Sequence, residues 1–308
     1  MARLRWLVVV VLSVAWLAGC ATAANAPVIR LRELRRLPVE PASGVAPLRV
    51  AVAAVVSPKG TAESYQPLLA YLSQRLGRPV ELVQRRTYAE TNALIEQGQV
   101  DLAFVCTSAY IAGRDAFGME LLAAPQVNGA TAYRSYLIVP AASPARDLAD
   151  LRQRVFAFTD PMSFSGRIYP SYLVRRLGSS PEAFFARTFF TYSHDDAIRA
   201  VAEGLADGAA VDSLVYEFAL AHDPALARRV RIIERSPPFG IPPVVVHPAV
   251  RPQLRALLQE LLLGLASEPS GEGQRALAAL GVERFVLIGD ERYDSARAIV
   301  RAVEAPAP

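Results

Sequence analysis

From Leu48 onward, short apolar runs alternate with longer segments of helical spacing, and this alternation narrows the possible folds more than any other feature. Residues 48–56 read as a buried strand, 65–76 as a helix stopped by Gly77, and 79–83 as a second strand. A helix over 88–97, ended by Gly98, and a strand over 100–106 follow. Such a βαβαβ rhythm predicts a mostly parallel sheet covered by helices. A second set has the same layout without repeating the sequence: strand 155–159, helix 167–177, strand 188–192, helix 195–204, strand 208–212 and helix 213–222.

Two extended segments separate these sets, 133–140 and the proline-rich 236–246. Proline-rich extended chain cannot be helical and suits a stiff crossover. A helix over 251–266 and a shorter one after Pro269 come last. The expected architecture is therefore α/β in two lobes joined by a double-crossover hinge, with a cleft between them. Residues 48–137 with 243–308 make lobe one, and 138–242 lobe two.

Composition excludes several other classes. Of 308 residues, 52% are hydrophobic and 20% charged, so most of the length cannot be intrinsically disordered. The net charge of +4 is too mild and too evenly spread for a nucleic-acid binder. Two cysteines and three histidines leave little for a zinc site or a disulfide framework, and no cofactor is expected. Cys106 ends the apolar run Leu102-Ala103-Phe104-Val105 and reads as a buried strand residue.

The first nineteen residues read as a targeting segment, with Arg3 and Arg5 ahead of a 13-residue apolar stretch from Trp6 to Ala18. That stretch is shorter than the roughly 20 residues a spanning helix needs. It ends in Leu17-Ala18-Gly19-Cys20, which resembles the bacterial lipobox, where cleavage leaves an acylated cysteine first. Residues 20–47 would then be a lipidated N-terminus and tether, holding the exported body on the periplasmic or extracytoplasmic face of a bacterial cell envelope membrane. Arg30, Arg32, Arg35 and Arg36 in this tether read as a solvated helix or coil, or as a contact to anionic lipid.

In open α/β sheets, ligands bind beyond the carboxyl ends of the strands, where helix N-termini point into a crevice. Three strand ends carry suitable groups: Cys106-Thr107-Ser108, Asp160-Pro-Met-Ser163-Phe164-Ser165-Gly166, and Ser193-His194-Asp195-Asp196. Free N–H groups, hydroxyl donors and positive helix ends favour a bound oxyanion. Helix capping uses the same residue types. Ser193 and Asp195 read as caps, whereas Ser163 and Ser165 read as ligand contacts, with Gly166 allowing close backbone approach. His194 stands at a helix start; His222 and His247 read as structural.

A set of motifs in order carries a resemblance: Tyr65-Gln-Pro-Leu, Tyr71-Leu-Ser, Tyr88-Ala-Glu, Gly98-Gln-Val-Asp101-Leu-Ala-Phe104, Tyr133-Arg-Ser, Asp160-Pro-Met-Ser163-Phe-Ser165-Gly, His194-Asp and Gly204 with Asp207-Gly-Ala. From about Leu48 to about Tyr293 the chain resembles the phosphate, phosphite and phosphonate-binding proteins of ABC importers. The resemblance implies a two-lobed periplasmic-binding-protein fold of the second type that closes on its ligand. It implies oxyanion contacts at Tyr88, Tyr133, Ser163, Ser165 and His194, and partnership with a permease and an ATPase. Phe164 departs from the hydroxyl residue common there, removing a donor and adding an apolar wall. Leu214 and Pro242 stand where amino-phosphonate binders carry carboxylates, with Asp212 the nearest acid, which argues against an amino-phosphonate ligand.

The sequence-level reading is thus a monomeric, lipid-anchored binding protein for a small phosphorus oxyanion, with Tyr88, Thr107, Tyr133, Ser163, Phe164, Ser165, Gly166, His194 and Asp212 about the ligand. Alternatives are a binding lobe that reports to a signalling partner, and a binder of a small aromatic or heterocyclic ligand. A hydrolase using Ser163 or Ser165 with His194 and Asp195 is disfavoured, because the chain has no Gly-x-Ser-x-Gly elbow and Asp195 is adjacent to His194.

Overall fold

The computed structural model describes residues 46–305. The targeting segment, Cys20 and nearly all of the expected tether lie outside the described residues. Along the chain, β1 (Leu48–Val52), β2 (Val80–Gln84), β3 (Leu102–Phe104) and β4 (Glu120–Gln126) precede a first crossover containing β5 (Ala132–Tyr133). The second lobe holds β6 (Ser135–Pro140), β7 (Val155–Phe158), β8 (Arg187–Phe190), β9 (Gly208–Asp212) and β10 (Val230–Arg235). The return crossover contains β11 (Phe239–Gly240), which pairs antiparallel with β5, and β12 (Val244–Val246) and β13 (Arg284–Val286) rejoin the first lobe.

The first sheet has the order β2-β1-β3-β12-β4-β13 and the second β8-β7-β9-β6-β10. In each, three parallel strands of a βαβαβ unit are followed by an antiparallel strand arriving directly from a crossover: β12 in the first, β6 in the second. The two lobes thus share a topology that their sequences do not repeat. Both sheets are mixed, not mostly parallel as the rhythm suggests. Hydrophobic periodicity carries no strand direction, and a strand fed by a crossover enters its sheet from the opposite end.

The helices are α1 (Pro58–Leu76), α2 (Tyr88–Glu96), α3 (Thr107–Phe117), α4 (Tyr169–Arg176), α5 (Pro181–Phe184), α6 (His194–Ala202), α7 (Ser213–His222), α8 (Pro252–Gly264), α9 (Glu272–Leu280) and α10 (Asp294–Glu304). Helix α1 begins seven residues earlier than its apolar spacing indicates, because Pro58 takes the first helical position, where its missing N–H costs nothing. It ends at Gly77, in the left-handed region at φ 61°. A capping box opens α2: the Glu90 N–H donates to Thr87 Oγ1 at 3.2 Å and the Thr87 N–H to Glu90 Oε2 at 3.0 Å.

Separate apolar cores fill the lobes, and a further one spans the cleft. Leu68, Leu72, Leu102, Leu258 and Leu262 pack on one face of the first sheet. Ile138, Ala157 and Val211 lie on one face of the second sheet, and Leu137, Phe156 and Phe158 on the other. The spanning core joins Ala51, Tyr88 and Tyr110 of the first lobe to Phe164 and Tyr169 of the second, with Tyr293 and Ala296 against them. Helix α10 belongs to this bridge: Arg175 of α4 donates to the carbonyl of Val303 at 2.8 Å.

Polar contacts also cross the cleft. The His194 N–H donates to the Val55 carbonyl at 2.9 Å, and the Ser57 N–H to Asp195 Oδ1 at 2.8 Å. Arg86 lies over the Tyr192 ring, 4.2 Å from its centroid. The structure is therefore one in which the lobes meet. Among the described residues, no helix is long and apolar enough to cross a membrane.

Candidate ligand-binding site

Five helix starts converge where the lobes meet. Tyr88, Thr107 and His194 are the first residues of α2, α3 and α6; Ser163 caps a π-helical turn, Phe164–Ile168, that leads into α4; and Asp212 caps α7. Each follows the carboxyl end of a strand, so a chain of this topology brings its positive helix ends to one place. Tyr133 arrives from the first crossover. All of these residues are buried.

The π-helical turn has a local cause. The amides of Arg167 and Ile168 both donate to the Ser163 carbonyl, at 3.0 and 2.9 Å, and the Gly166 N–H donates to Ser163 Oγ at 3.1 Å. Gly166 is required by Thr159: a Cβ there would lie 1.9 Å from Thr159 Oγ1. The sequence reading assigned this glycine to close approach by a ligand. Within the protein, its Cβ side is filled by threonine and its amide donates to Ser163 Oγ. Ser165 is fixed through its carbonyl, which accepts from Ser135 Oγ at 2.7 Å.

His194 has a defined tautomer. The Asp212 N–H donates to Nδ1 at 2.9 Å, so the ring proton resides on Nε2, which faces Ser163 Oγ at 3.4 Å. Burial lowers its pKa to about 3, so the ring is neutral and donates from Nε2. Tyr192 aims this segment from the left-handed region, at φ 62°, and its N–H donates to the Thr159 carbonyl at 2.8 Å. Ser193 caps α6, as expected, by accepting from the Asp196 N–H. Asp195, expected to be a cap, instead accepts from Ser57 across the cleft.

With two acceptor directions of Ser163 Oγ facing the Gly166 N–H and His194 Nε2–H, its own proton is left to donate. Three expected contacts, the hydroxyls of Tyr88, Tyr133 and Ser165, are buried without a well-formed hydrogen bond, as is Thr159 Oγ1, although the Tyr133 hydroxyl lies near those of Thr107 and Ser165. Native proteins seldom leave buried polar groups unsatisfied, so several in one spot mark a place where something else supplies the partner. Burial drives both phenols well above their ordinary pKa, which keeps their protons in place. Thr107 differs: its hydroxyl donates to the Gly240 carbonyl at 2.8 Å, leaving its contribution to the amide at the start of α3. Phe164 packs edge-on against Phe239, with ring centroids 4.7 Å apart, and so joins the core that spans the cleft.

Sequence reasoning missed Asp160 as a site residue. Its Oδ1 accepts from the Met162 N–H at 2.7 Å and its Oδ2 from the Tyr88 N–H at 3.1 Å, the latter across the cleft. An aspartate two residues ahead of a turn amide is a recognisable Asx-turn signal; its second partner, 72 positions away, is not. Asp212 has one carboxylate oxygen 2.7 Å from the Leu214 N–H, and burial raises its pKa to about 7. No arginine or lysine belongs to this group of residues, so any anion held here is held by hydroxyls, an imidazole N–H and helix ends.

The arrangement does not suit nucleophilic hydrolysis. His194 presents a proton, not a lone pair, to Ser163, and its Nδ1 accepts from a backbone amide where a triad would place a carboxylate.

The chain is similar to several known proteins. The family model described as ABC transporter, phosphonate, periplasmic substrate-binding protein matches residues 50–293. The phosphate-import protein PhnD of Mycolicibacterium smegmatis is 34% identical over 163 residues, 49% of this chain and 51% of that protein. The chain thus spans about half the length of that curated relative. A binding protein component of an ABC phosphonate transporter from Pseudomonas aeruginosa superposes with a TM-score of 0.76 at 24% identity, over 82% of this chain and 84% of that one. PhnD1 from Prochlorococcus marinus, solved with methylphosphonate, gives 0.73 at 19% identity, over 82% and 97%. Both structures share the two-lobed fold of type II periplasmic binding proteins. With four-fifths of its length matched in order, the chain belongs to the family of periplasmic substrate-binding proteins of phosphonate ABC transporters.

Proposed function

We propose that this chain captures a small phosphorus oxyanion (phosphate, phosphite or a phosphonate) and delivers it to the permease and ATPase of an ABC importer, as a monomer anchored by lipid on Cys20. The observation that carries the ligand class is the group of unsatisfied hydroxyls of Tyr88, Tyr133 and Ser165 beside the proton-presenting edges of Ser163 and His194. Hydroxyls, a neutral imidazole N–H and helix N-termini are all donors, and an anion with several oxygens satisfies them together. The lobes would close on it about the double crossover, with lobe one comprising 48–134 and 243–308 and lobe two running from the start of β6 at Ser135 to 242. The relative from Mycolicibacterium smegmatis, which imports phosphate, supports the same ligand class.

A thermal-shift panel of phosphate, phosphite, methylphosphonate, 2-aminoethylphosphonate and sulfate tests the reading. A ligand at one hundred times its Kd adds about 2.7 kcal/mol of stability, which such a panel resolves. No shift with any phosphorus oxyanion would overturn the reading. Anchoring is tested by intact-mass measurement of protein extracted from membranes: acyl chains on Cys20 are expected, and a free thiol there would refute the anchor.

A further inference from the structure

A cavity of about 380 Å³ lies between the lobes, and none of Tyr88, Tyr133, Ser163, Ser165 and His194 lines it. Its volume falls in the range of pockets for small organic molecules, ~300 to 1,000 Å³. The first lobe contributes Tyr65 and Phe104, the return crossover Ile241 and Pro242, and the start of α7 in the second lobe Leu214 and Val215. Aromatic rings build part of the first-lobe wall. Tyr65 meets Phe104 edge to face with centroids 4.9 Å apart, and Phe285, also lining the cavity, meets Phe104 the same way at 6.2 Å. No lysine, arginine or histidine lines this space, so an anion would find no counter-charge in it. Its two carboxylates are already engaged: Asp212 Oδ1 with the Leu214 N–H at 2.7 Å, and Glu217 Oε1 with the Tyr136 hydroxyl at 2.6 Å. Burial raises Asp212 to about 7, so the inner carboxylate offers an ammonium group little charge. The hydroxyls of Ser64 and Tyr65 remain, neither of them hydrogen-bonded to another described residue.

We infer that this cavity is a second ligand site, separate from the oxyanion donors, which takes a neutral aromatic molecule with one hydrogen-bonding group and thereby holds the lobes together. Phenols and indoles are of this class: their rings meet aromatic and aliphatic walls, and their single polar group meets a hydroxyl. The site itself stands without the oxyanion reading, whereas its effect on the oxyanion rests on that reading. Walls from both lobes face a common occupant only while the lobes meet, so a molecule bound there favours closure. Two lining residues also hold the imidazole of the oxyanion group. The Asp212 N–H donates to His194 Nδ1 at 2.9 Å, and the Val55 carbonyl accepts from the His194 N–H at 2.9 Å. An occupant that fixes Asp212 and Val55 therefore fixes His194. By linkage each ligand then raises the affinity for the other by the same factor, typically ~5- to 150-fold.

Titration calorimetry of the mature chain with p-cresol, indole, toluene, benzoate and benzylamine, in buffer free of phosphorus oxyanions, tests the site. p-Cresol and indole should bind, and both charged probes should bind at least about tenfold more weakly, for want of a partner charge. Tyr65→Phe should weaken p-cresol several-fold and leave toluene unchanged, since it removes one hydroxyl and keeps the ring. Leu280→Trp fills the cavity from the end of α9 and should abolish p-cresol binding. Phosphate and methylphosphonate titrated with and without saturating p-cresol test the coupling: oxyanion affinity should rise at least about fivefold in the wild type and not respond in Leu280→Trp. Should Leu280→Trp not fold, the wild-type series and Tyr65→Phe decide. No binding of p-cresol or indole, a preference for benzoate or benzylamine, or undiminished p-cresol binding in a folded Leu280→Trp would overturn the site. Aromatic binding that leaves oxyanion affinity unchanged would overturn the hold on closure. If no phosphorus oxyanion binds at all, the oxyanion reading fails, while p-cresol binding lost in Leu280→Trp still supports the second site.

Discussion

The backbone N–H of Tyr88, at the start of a first-lobe helix, donates to the carboxylate of Asp160 in the second lobe at 3.1 Å. This bond ties the placement of a candidate ligand-contacting phenol to the meeting of the two lobes. Because Asp160 also accepts from Met162 at 2.7 Å, one carboxylate organises the loop leading to Ser163 and holds the opposite helix end against it.

Asp160→Ala should therefore act on closure. Hydrogen bonds to charged groups are worth roughly 1.5–3 kcal/mol, so oxyanion affinity should fall by at least about tenfold. Small-angle scattering with saturating ligand should report a more open molecule than the wild type. Wild-type affinity and scattering would mean that α2 positions Tyr88 unaided.

Tyr88→Phe, Tyr133→Phe and Ser165→Ala should separate binding from stability. Each removes a buried hydroxyl that makes no well-formed hydrogen bond, those of Tyr133 and Ser165 lying near each other. Leaving such a group buried costs about 1–3 kcal/mol, so the ligand-free variants should melt at or above the wild-type temperature. Oxyanion affinity should fall about 10- to 150-fold in each. Loss of stability with unchanged affinity would show these hydroxyls to be structural.

Two buried groups at the site titrate with opposite signs. Burial raises Asp212 from 3.8 to about 7, so between those values the folded chain keeps a proton that the unfolded chain has lost, and stability falls as pH rises. Burial lowers His194 from 6.5 to about 3, so there the unfolded chain binds the extra proton, and stability falls as pH drops. Each slope is at most about 1.4 kcal/mol per pH unit, and from pH ~4 to 6.5 they oppose one another. Asp212→Asn keeps a capping side chain and removes the first slope. Its stability relative to wild type should climb from pH ~4 to 7 and then level off, as read by urea unfolding. Parallel profiles for the two proteins would show that Asp212 is ionised throughout.

Gly166→Ala should destabilise the fold by about 1–3 kcal/mol, because the new methyl group has no room beside Thr159. Chemical denaturation measures this directly. A variant as stable as the wild type would show that the π-helical turn can shift to make room.

Much of the candidate site was legible because strand ends and helix starts have sequence signatures. Ser163, Ser165 and His194 could be singled out from hydroxyls and an imidazole standing just after apolar runs. Tyr88 carries no such signature and came only from resemblance to a family. The extended segment ending at Pro140 looked like a crossover but is largely β6, since extended chain has the same local pattern in either setting. Helix α10 escaped detection although its face is amphipathic, and it packs on both lobes.

Local order along this chain was determined by its sequence: where strands and helices alternate, where prolines force extended crossovers, and which polar residues stand at helix starts. These depend on neighbours within a few positions, through backbone sterics, capping and hydrophobic spacing. The tertiary structure decided the direction of β6 and β12, the His194 tautomer set by the Asp212 amide, the reason for Gly166, and the partners of Asp160 and Asp195 across the cleft. Each of those depends on a group brought close only by folding, and no local pattern records which distant amide, carboxylate or methyl group will arrive.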